Sequence, residues 1–494
     1  MHDAWPNADG TAEPEGRRAG TAARLLAHPA DGDGPVPGDV FVPFGARVAA
    51  VPVSSATGRR LRLTWPAARP AGTPATFGLT VARDDREEKR VTVWPAGGTA
   101  QLGCLDVRYA DPHQRVVLPL DAAGLAAALT HGVELAVTRG SSPLWIFADD
   151  SAPAGHRPAL VFAGADPPLR RLLDRLCSID SVQPFGWMEG CVLDAHAEIA
   201  ESVPALRARA LRAREDHLRC YLRDGVLRYG DPRGRRITDR YYGIEATLPV
   251  AALARDDPRH RAVRMAEEFW AAATDGDGCV RDTDTTAEGC YTVAYPMAVA
   301  ASGLASADLA ARARRQLLTR RDRLRDRGAV FLRQRPDGTR SYRNWARAFG
   351  WYLLGVARTA RCLTGLVAVD DLWAEFRAVA ELAVRAQRGD GLWSCYLDRP
   401  DTGPEAAGSA GIAAGLAIGA EAGQLAGPAR ASATRAFDAL LALVTPEGLL
   451  AGCSQSNKGG EALQESGYRV LSGMAAGLLG QLAATLIRSA SIRG

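Results

Sequence analysis

A short, glycine-bearing segment that follows a polar loop recurs six times along the C-terminal part of the chain. The copies are Phe185-Gly186-Trp187-Met188-Glu189-Gly190, Tyr241-Tyr242-Gly243-Ile244-Glu245, Glu288-Gly289-Cys290-Tyr291, Phe349-Gly350-Trp351-Tyr352, Glu405-Ala406-Ala407-Gly408-Ser409 and Glu465-Ser466-Gly467-Tyr468. Their spacing averages about 56 residues, the length of one helical hairpin in a repeat array. Longer amphipathic stretches with arginine-rich faces lie between them, at 204–222, 260–273, 307–326, 372–387 and 428–443, and 169–176 completes a set of six. Six small-residue helices alternating with six charged ones specify an (α/α)6 toroid. Only small side chains let inner helices crowd near an axis, while the outer helices face water. All the inner helices would then begin on one rim.

The first third of the chain has a different texture. Residues 1–34 are rich in Ala, Gly, Pro and Asp without an apolar period, which predicts a disordered tail. From 35 to 164, short runs rich in Val, Leu and Thr recur between Pro, Gly and Asp punctuation, at 47–53, 61–65, 76–81, 90–94, 114–120, 133–138 and 144–148. That spacing predicts a β-sandwich domain over 35–164, followed by the helical barrel over 165–494, so the fold class is multidomain α and β.

Sixty basic against 56 acidic residues leave a net charge of +4, too small and too scattered to point to nucleic acid. Every basic residue except Lys89 and Lys458 is arginine. The densest run, Arg320 to Arg327, is interrupted by Asp322 and Asp326 and reads as a solvated helix face. The nine cysteines form no C-x-x-C pair, which suggests neither a disulfide framework nor a zinc site. The first residues lack the basic-then-apolar order of a secretory signal, and no later run is apolar enough to span a bilayer. A cytoplasmic location follows as the expectation.

The rim of the toroid would collect Trp187, Tyr241, Tyr242, Tyr291, Trp345, Trp351, Trp393 and Tyr396 with several carboxylates. An aromatic, acidic, concave mouth suits a sugar ring, whose C–H faces stack on indoles while its hydroxyls take charged hydrogen bonds. Arg347, between two tryptophans, has the fork geometry to grip a carboxylate. Glu405 and Glu465 also suit helix caps, and His196, His217 and His260 read as helix-face residues. The polar loop 454–464 reads as a lid over the mouth.

Trp345-Ala346-Arg347-Ala348-Phe349-Gly350-Trp351 resembles the W-x-R-x-x-G-W signature of glycoside hydrolase families 88 and 105, the unsaturated uronyl hydrolases, with Phe349 where asparagine is usual. Gly391-Leu392-Trp393-Ser394-Cys395-Tyr396-Leu397-Asp398, followed by Glu405-Ala406-Ala407-Gly408-Ser409-Ala410, is similar to the same families' G-L-W-x-x-x-L-D and E-x-x-G/A-S-A segments. The resemblance spans roughly residues 170 to 488 and implies a six-hairpin glycosidase. It further implies removal of a terminal Δ4,5-unsaturated uronic acid from an oligosaccharide by hydration of its vinyl ether, with no metal or organic cofactor.

On this resemblance Glu288 stands where the family has its acid and base aspartate, and Asp239 carries over the second aspartate. Asp282 and Asp284, just before Glu288, are alternative acids. The binding set is Arg347, Trp351, Trp345, Trp187, Tyr242, Tyr291, Trp393 and Glu405. The expected partner is an oligosaccharide, with neither nucleic acid nor membrane, and self-association is open. Two other readings stand beside it: a two-carboxylate hydrolase of a saturated uronide or other glycoside, and a non-catalytic carbohydrate-binding toroid.

Overall fold

The computed structural model describes residues 23–26, 28–29, 41–54, 58–65 and 75–491. A two-stranded sheet, Val48–Val51 with Leu144–Phe147, and two larger antiparallel sheets make up the N-terminal part. One runs Ala23–Leu26, Ala159–Phe162, Ala75–Thr80, Arg115–Leu120; the other runs His28–Pro29, Leu61–Thr64, Val133–Arg139, Glu88–Pro95, Gly103–Arg108. Side chains alternate across a strand, so Leu61 and Leu63 turn inward around exposed Arg62. They meet Phe77, Leu79, Val91, Val93, Leu160 and Phe162 in one hydrophobic core.

Two features of this part depart from the sequence reading. The tail expected over 1–34 lies mostly outside the described residues, but 23–26 and 28–29 are strands. Ala23–Leu26 completes a sheet against Ala159–Phe162, and Arg24 Nη1 donates to Asp180 Oδ2 at 2.7 Å, so backbone pairing and a charge partner fix it. A helix, Ala122–His131, also interrupts the strands; Asp121 accepts from Gly124 N at its start and Gly132, at φ +80°, ends it.

The helical part is a ring. The inner helices are Trp187–Ser202, a turn at Ile244–Thr247 continued by Val250–Asp256, a π-helical turn at Cys290–Ala294 continued by Tyr295–Leu304, Ala346–Leu363, Ala406–Glu421 and Gly473–Ser491. Each packs on the next, and the last closes on the first. Outside them, each against an inner neighbour, lie Pro168–Leu176, Arg207–Tyr221, Arg261–Ala272, Ala307–Leu324, Asp370–Arg385 and Gly427–Leu441. The last inner helix begins at Gly473, not at Glu465. Glu465 ends a short helix, Gly460–Glu465, after which Gly467 turns the chain at φ +74° and Val470–Ser472 pairs as a strand.

Small residues decide how close the inner helices come. A Cβ on Gly355 would lie 2.3 Å from the carbonyl carbon of Cys290, and one on Gly350 would meet the Cα of Gly411 at 3.3 Å. The axis is not wholly apolar. Asp194 accepts from the hydroxyls of Tyr291 at 2.5 Å and Tyr295 at 3.0 Å and from Arg255, while Arg358 bridges Glu198 and Gln481. Such buried polar groups persist because each finds partners.

The arginine run is only partly a solvated face. Arg320 is fully buried and donates to the backbone oxygens of Thr286 and Val280, because the chain entering the third inner helix lies across it. Arg323 pairs with Asp275 and Arg325 with Glu375.

The N-terminal part is seated on the rim of the ring. Arg115 meets Glu447 at 3.1 Å with both side chains buried, Gln455 Nε2 donates to Arg108 O and Gln114 Oε1, and Lys458 bridges Asp84 at 2.5 Å and Asp111 at 2.8 Å.

Candidate active site

A cavity of about 400 Å³ opens where the N-terminal part meets the rim. Its floor and one wall come from the helical part through Trp187, Tyr242, Glu245, Glu288, Trp345 and Arg347; the opposite wall comes from Phe41, Arg83, Asp84, Arg86, Asp111 and His113. Ser456, Asn457 and Lys458, from the loop expected as a lid, also line it.

The site grows from the leading ends of successive inner helices. Gly186, at φ +125°, lets the chain pass close to Glu245, since a Cβ there would lie 3.0 Å from the Glu245 carbonyl oxygen. The next turn, opened by Gly243, is anchored when Ile244 N donates to the Asp282 carboxylate at 3.2 Å, which leaves Glu245 facing the cavity. Glu288 precedes the π-helical turn of the third inner helix and is buried.

Burial, the nearby charge of Glu288 and that of Asp282 push the Glu245 carboxyl up to about 8, while the Tyr242 hydroxyl, donating at 3.4 Å, works against the rise. Burial likewise raises Glu288, opposed by the guanidiniums of Arg333 and Arg347. A carboxyl that keeps its proton near neutrality can act as an acid there.

Arg347 lies in the first turn of the fourth inner helix. Its guanidinium carbon sits 5.3 Å from the Trp187 ring and 5.0 Å from the Trp345 ring, and its Nη1 donates to Gln455 O at 3.0 Å and Ser454 O at 3.3 Å. Two indole faces and two carbonyls hold its plane.

The cavity brings together Glu288, Arg347, Trp345, Trp187 and Tyr242 of the residues singled out from sequence, and leaves others out. Asp239 is a correction: at φ +51° it leaves the strand Arg236–Thr238 outward, pairs with Arg261 at 2.7 Å and does not line the cavity. The Arg261 hydrogen bond holds its carboxyl below the usual range, the opposite of what a general acid needs. Asp284 also stays outside, 3.4 Å from Arg333, which does line the cavity.

Four expected sugar contacts belong to the interior instead. Trp351 lies beneath the floor, edge-on to Trp187 at 5.6 Å and stacked on Tyr291 at 6.1 Å, and the Tyr291 hydroxyl is committed to Asp194. Trp393 is fully buried and donates to Ala383 O. Glu405 is a cap, accepting from Ala407 N and Gly408 N at its helix start and from Ser454 N. Among the rim residues, Glu465 is partnered by Arg399. Among the described residues, no group of three or more His, Cys, Asp or Glu is arranged to hold a metal ion.

Glu245 is the site residue that sequence reasoning passed over. Its signal was present: a single carboxylate inside the apolar run Tyr241 to Leu248, with no basic residue three or four positions away to pair with it.

Residues 297–489 match the sequence profile of Glycosyl Hydrolase Family 88. The helical part is glycoside hydrolase family 88-like. The chain is thus a glycoside hydrolase by class, and the solved structures agree in fold. One described as a possible member of glycoside hydrolase family 105 from Salmonella enterica aligns at TM-score 0.55 and 14% identity, covering 65% of this chain and 93% of that one. A family 105 glycoside hydrolase from C. acetobutylicum aligns at TM-score 0.54 and 16% identity over 64% and 98%. A family 88 glycosyl hydrolase from Bacteroides vulgatus aligns at TM-score 0.50 and 15% identity over 65% and 99%. No curated protein matches the sequence. The family 88 match begins inside the third inner helix, so Glu245 and Glu288 fall before it and are argued from geometry. No helix among the described residues is long and apolar enough to cross a membrane.

Proposed function

We propose that this family 88-like chain removes a terminal Δ4,5-unsaturated uronic acid from an oligosaccharide, with Glu288 as the acid and Glu245 as its partner. The observation that carries this reading is a pair of carboxyls, Glu245 and Glu288, both raised by burial and lining one cavity with Arg347. Arg347 takes the uronate carboxylate, and Trp187 and Trp345 flank the ring. Protonated Glu288 delivers its proton to C4 of the vinyl ether, and positive charge develops at C5 and the ring oxygen. The Glu288 carboxylate left behind takes a proton from water as the oxygen bonds to C5. The hemiketal then opens and expels the aglycone, so one water is consumed. The charge of Glu288 raises Glu245, so the two carboxyls hold a shared proton for Glu288 to deliver, because a buried pair cannot both ionise cheaply.

Asp239 has no part in this scheme, and Asp284 serves by holding Arg333. The reading includes a β-sandwich domain, expected over 35–164 and joined by the strands 23–26 and 28–29, a catalytic barrel domain over 165–494 and a cytoplasmic location, the last supported by nine free thiols. The test is loss of the ultraviolet absorbance of the conjugated double bond when the protein meets an unsaturated uronyl disaccharide. Release of nitrophenol from saturated p-nitrophenyl uronides, with the unsaturated substrate untouched, would instead select ordinary two-carboxylate hydrolysis.

A further inference from the structure

The charged side chains that line the cavity are mostly committed to ion pairs. Asp84 is held by Lys458 at 2.5 Å and Arg86 at 2.6 Å, Asp111 by Lys458 at 2.8 Å, and Asp231 by Arg235 at 2.6 Å. Arg333 faces Asp284. Two guanidiniums remain that no carboxylate among the described residues pairs with: Arg347 on the barrel side and Arg83 on the N-terminal wall. Arg83 is half-buried, and its guanidinium carbon stands 5.4 Å from the ring centroid of Trp145. That stacking orders the fork without neutralising it. A half-buried guanidinium with no counter-charge is left open to pair with an anionic ligand.

We infer that Arg83 binds an oxyanion substituent, carboxylate or sulfate, on the sugar next to the terminal uronic acid, which makes the N-terminal part a selector of acidic leaving groups. The choice of which sugar leaves rests on the proposed uronide reading; the anion contact itself does not. Arg347 serves the terminal ring beside Glu288, and Arg83 serves what extends across the cavity toward the opposite wall. The barrel alone would lack this contact.

The experiment compares three disaccharides that share the terminal uronic acid and differ in the second sugar: neutral, carboxylated and sulfated. Affinity is read from the fluorescence of the cavity tryptophans, and turnover from the double-bond absorbance. Wild type is expected to favour an acidic second sugar, and Arg83→Gln to reduce the acidic-to-neutral affinity ratio by about 10- to 100-fold, the worth of a charge-assisted pair. Arg83→Lys should restore part of it, since charge survives and the fork does not. In wild type the acidic preference should shrink with added salt, a readout that needs no variant. A fall confined to the sulfated or to the carboxylated sugar names the anion. An unchanged ratio in Arg83→Gln, or a wild type that binds all three sugars equally or binds none, overturns the inference. Charge-selective binding without any loss of absorbance would instead overturn the cleavage reading and leave the Arg83 contact standing.

Discussion

Glu245 and Glu288 reach one cavity from successive inner helices, and the charge of Glu288 is among the causes that raise Glu245. Asp239, four residues before Gly243 in the same stretch of chain, sits outside that cavity in an ion pair with Arg261. Glu288→Gln and Glu245→Gln are therefore each expected to lower kcat on an unsaturated disaccharide by about 10²- to 10⁴-fold, the usual worth of a positioned acid or base. Asp239→Asn should leave turnover near wild type. Initial rates of absorbance loss measure all three, and a dead Asp239→Asn with an active Glu245→Gln would reverse the assignment.

The raised carboxyls give a pH signature. Activity needs a proton on the pair, so kcat should fall as pH rises through about 8, the value to which Glu245 is pushed. Stability moves the same way. Between its unfolded value and its folded value Glu245 holds more proton in the native state than in the unfolded one, so the native state loses ground as pH rises across that window. Glu245→Gln, which cannot ionise, should melt higher than wild type at alkaline pH and differ little at acid pH. A melting temperature that drops equally at both ends of the range would contradict this.

Much of the ring was legible because its cause is local. Glycine and alanine at the leading ends of Trp187–Ser202, Ala346–Leu363 and Ala406–Glu421 mark places where backbones touch, and arginine marks the faces that meet water. Depth along an inner helix was not legible. Arg347 and Trp351 are one turn apart on the same helix face, yet the first lines the cavity and the second lies under it against Tyr291. The family resemblance assigns the second acid to Asp239, but a left-handed residue at a strand end turns its side chain away, and no sequence period encodes that. The opposite wall was hidden for another reason. Arg83, Asp111 and His113 come from loops between strands, whose placement on the rim depends on long-range pairs such as Lys458 with Asp84.

The close approach at Gly355 makes a packing prediction. A methyl group there would press on the Cys290 carbonyl carbon at 2.3 Å and its oxygen at 2.4 Å. Both are backbone atoms, in the turn that follows Glu288, and cannot swing aside as a side chain could. Gly355→Ala is expected to cost about 3 kcal/mol or more, at the upper end of overpacking effects, read from the urea midpoint. Gly423→Ala gives the contrast within the same ring. Gly423 has open space for a methyl but a φ of +72°, so its cost should be the smaller one of backbone strain, about 1 kcal/mol. Equal midpoints for the two variants would mean that the inner helices are less tightly fitted than the contacts indicate.

Lys458 tests how the opposite wall is held. Its ammonium, largely buried, lies between Asp84 and Asp111 and also donates to Ala110 O. Lys458→Met keeps the stem and removes the charge, leaving Asp111 without its cation beside Asp84, which keeps only Arg86, in a poorly solvated seam. Breaking a buried pair from one side costs about 3 kcal/mol or more, and here the loss falls on the contact between the 454–464 loop and the N-terminal wall. The expected outcome is a lower melting temperature with faster protease cleavage in the 454–464 loop, while the helix content by circular dichroism is unchanged. Adding Asp84→Asn and Asp111→Asn to Lys458→Met removes the under-compensated negative charge and should recover much of the lost stability, because the penalty lies in the two close carboxylates more than in the missing lysine. If the triple variant is no more stable than Lys458→Met alone, the bridge matters through packing of the lysine stem and not through charge.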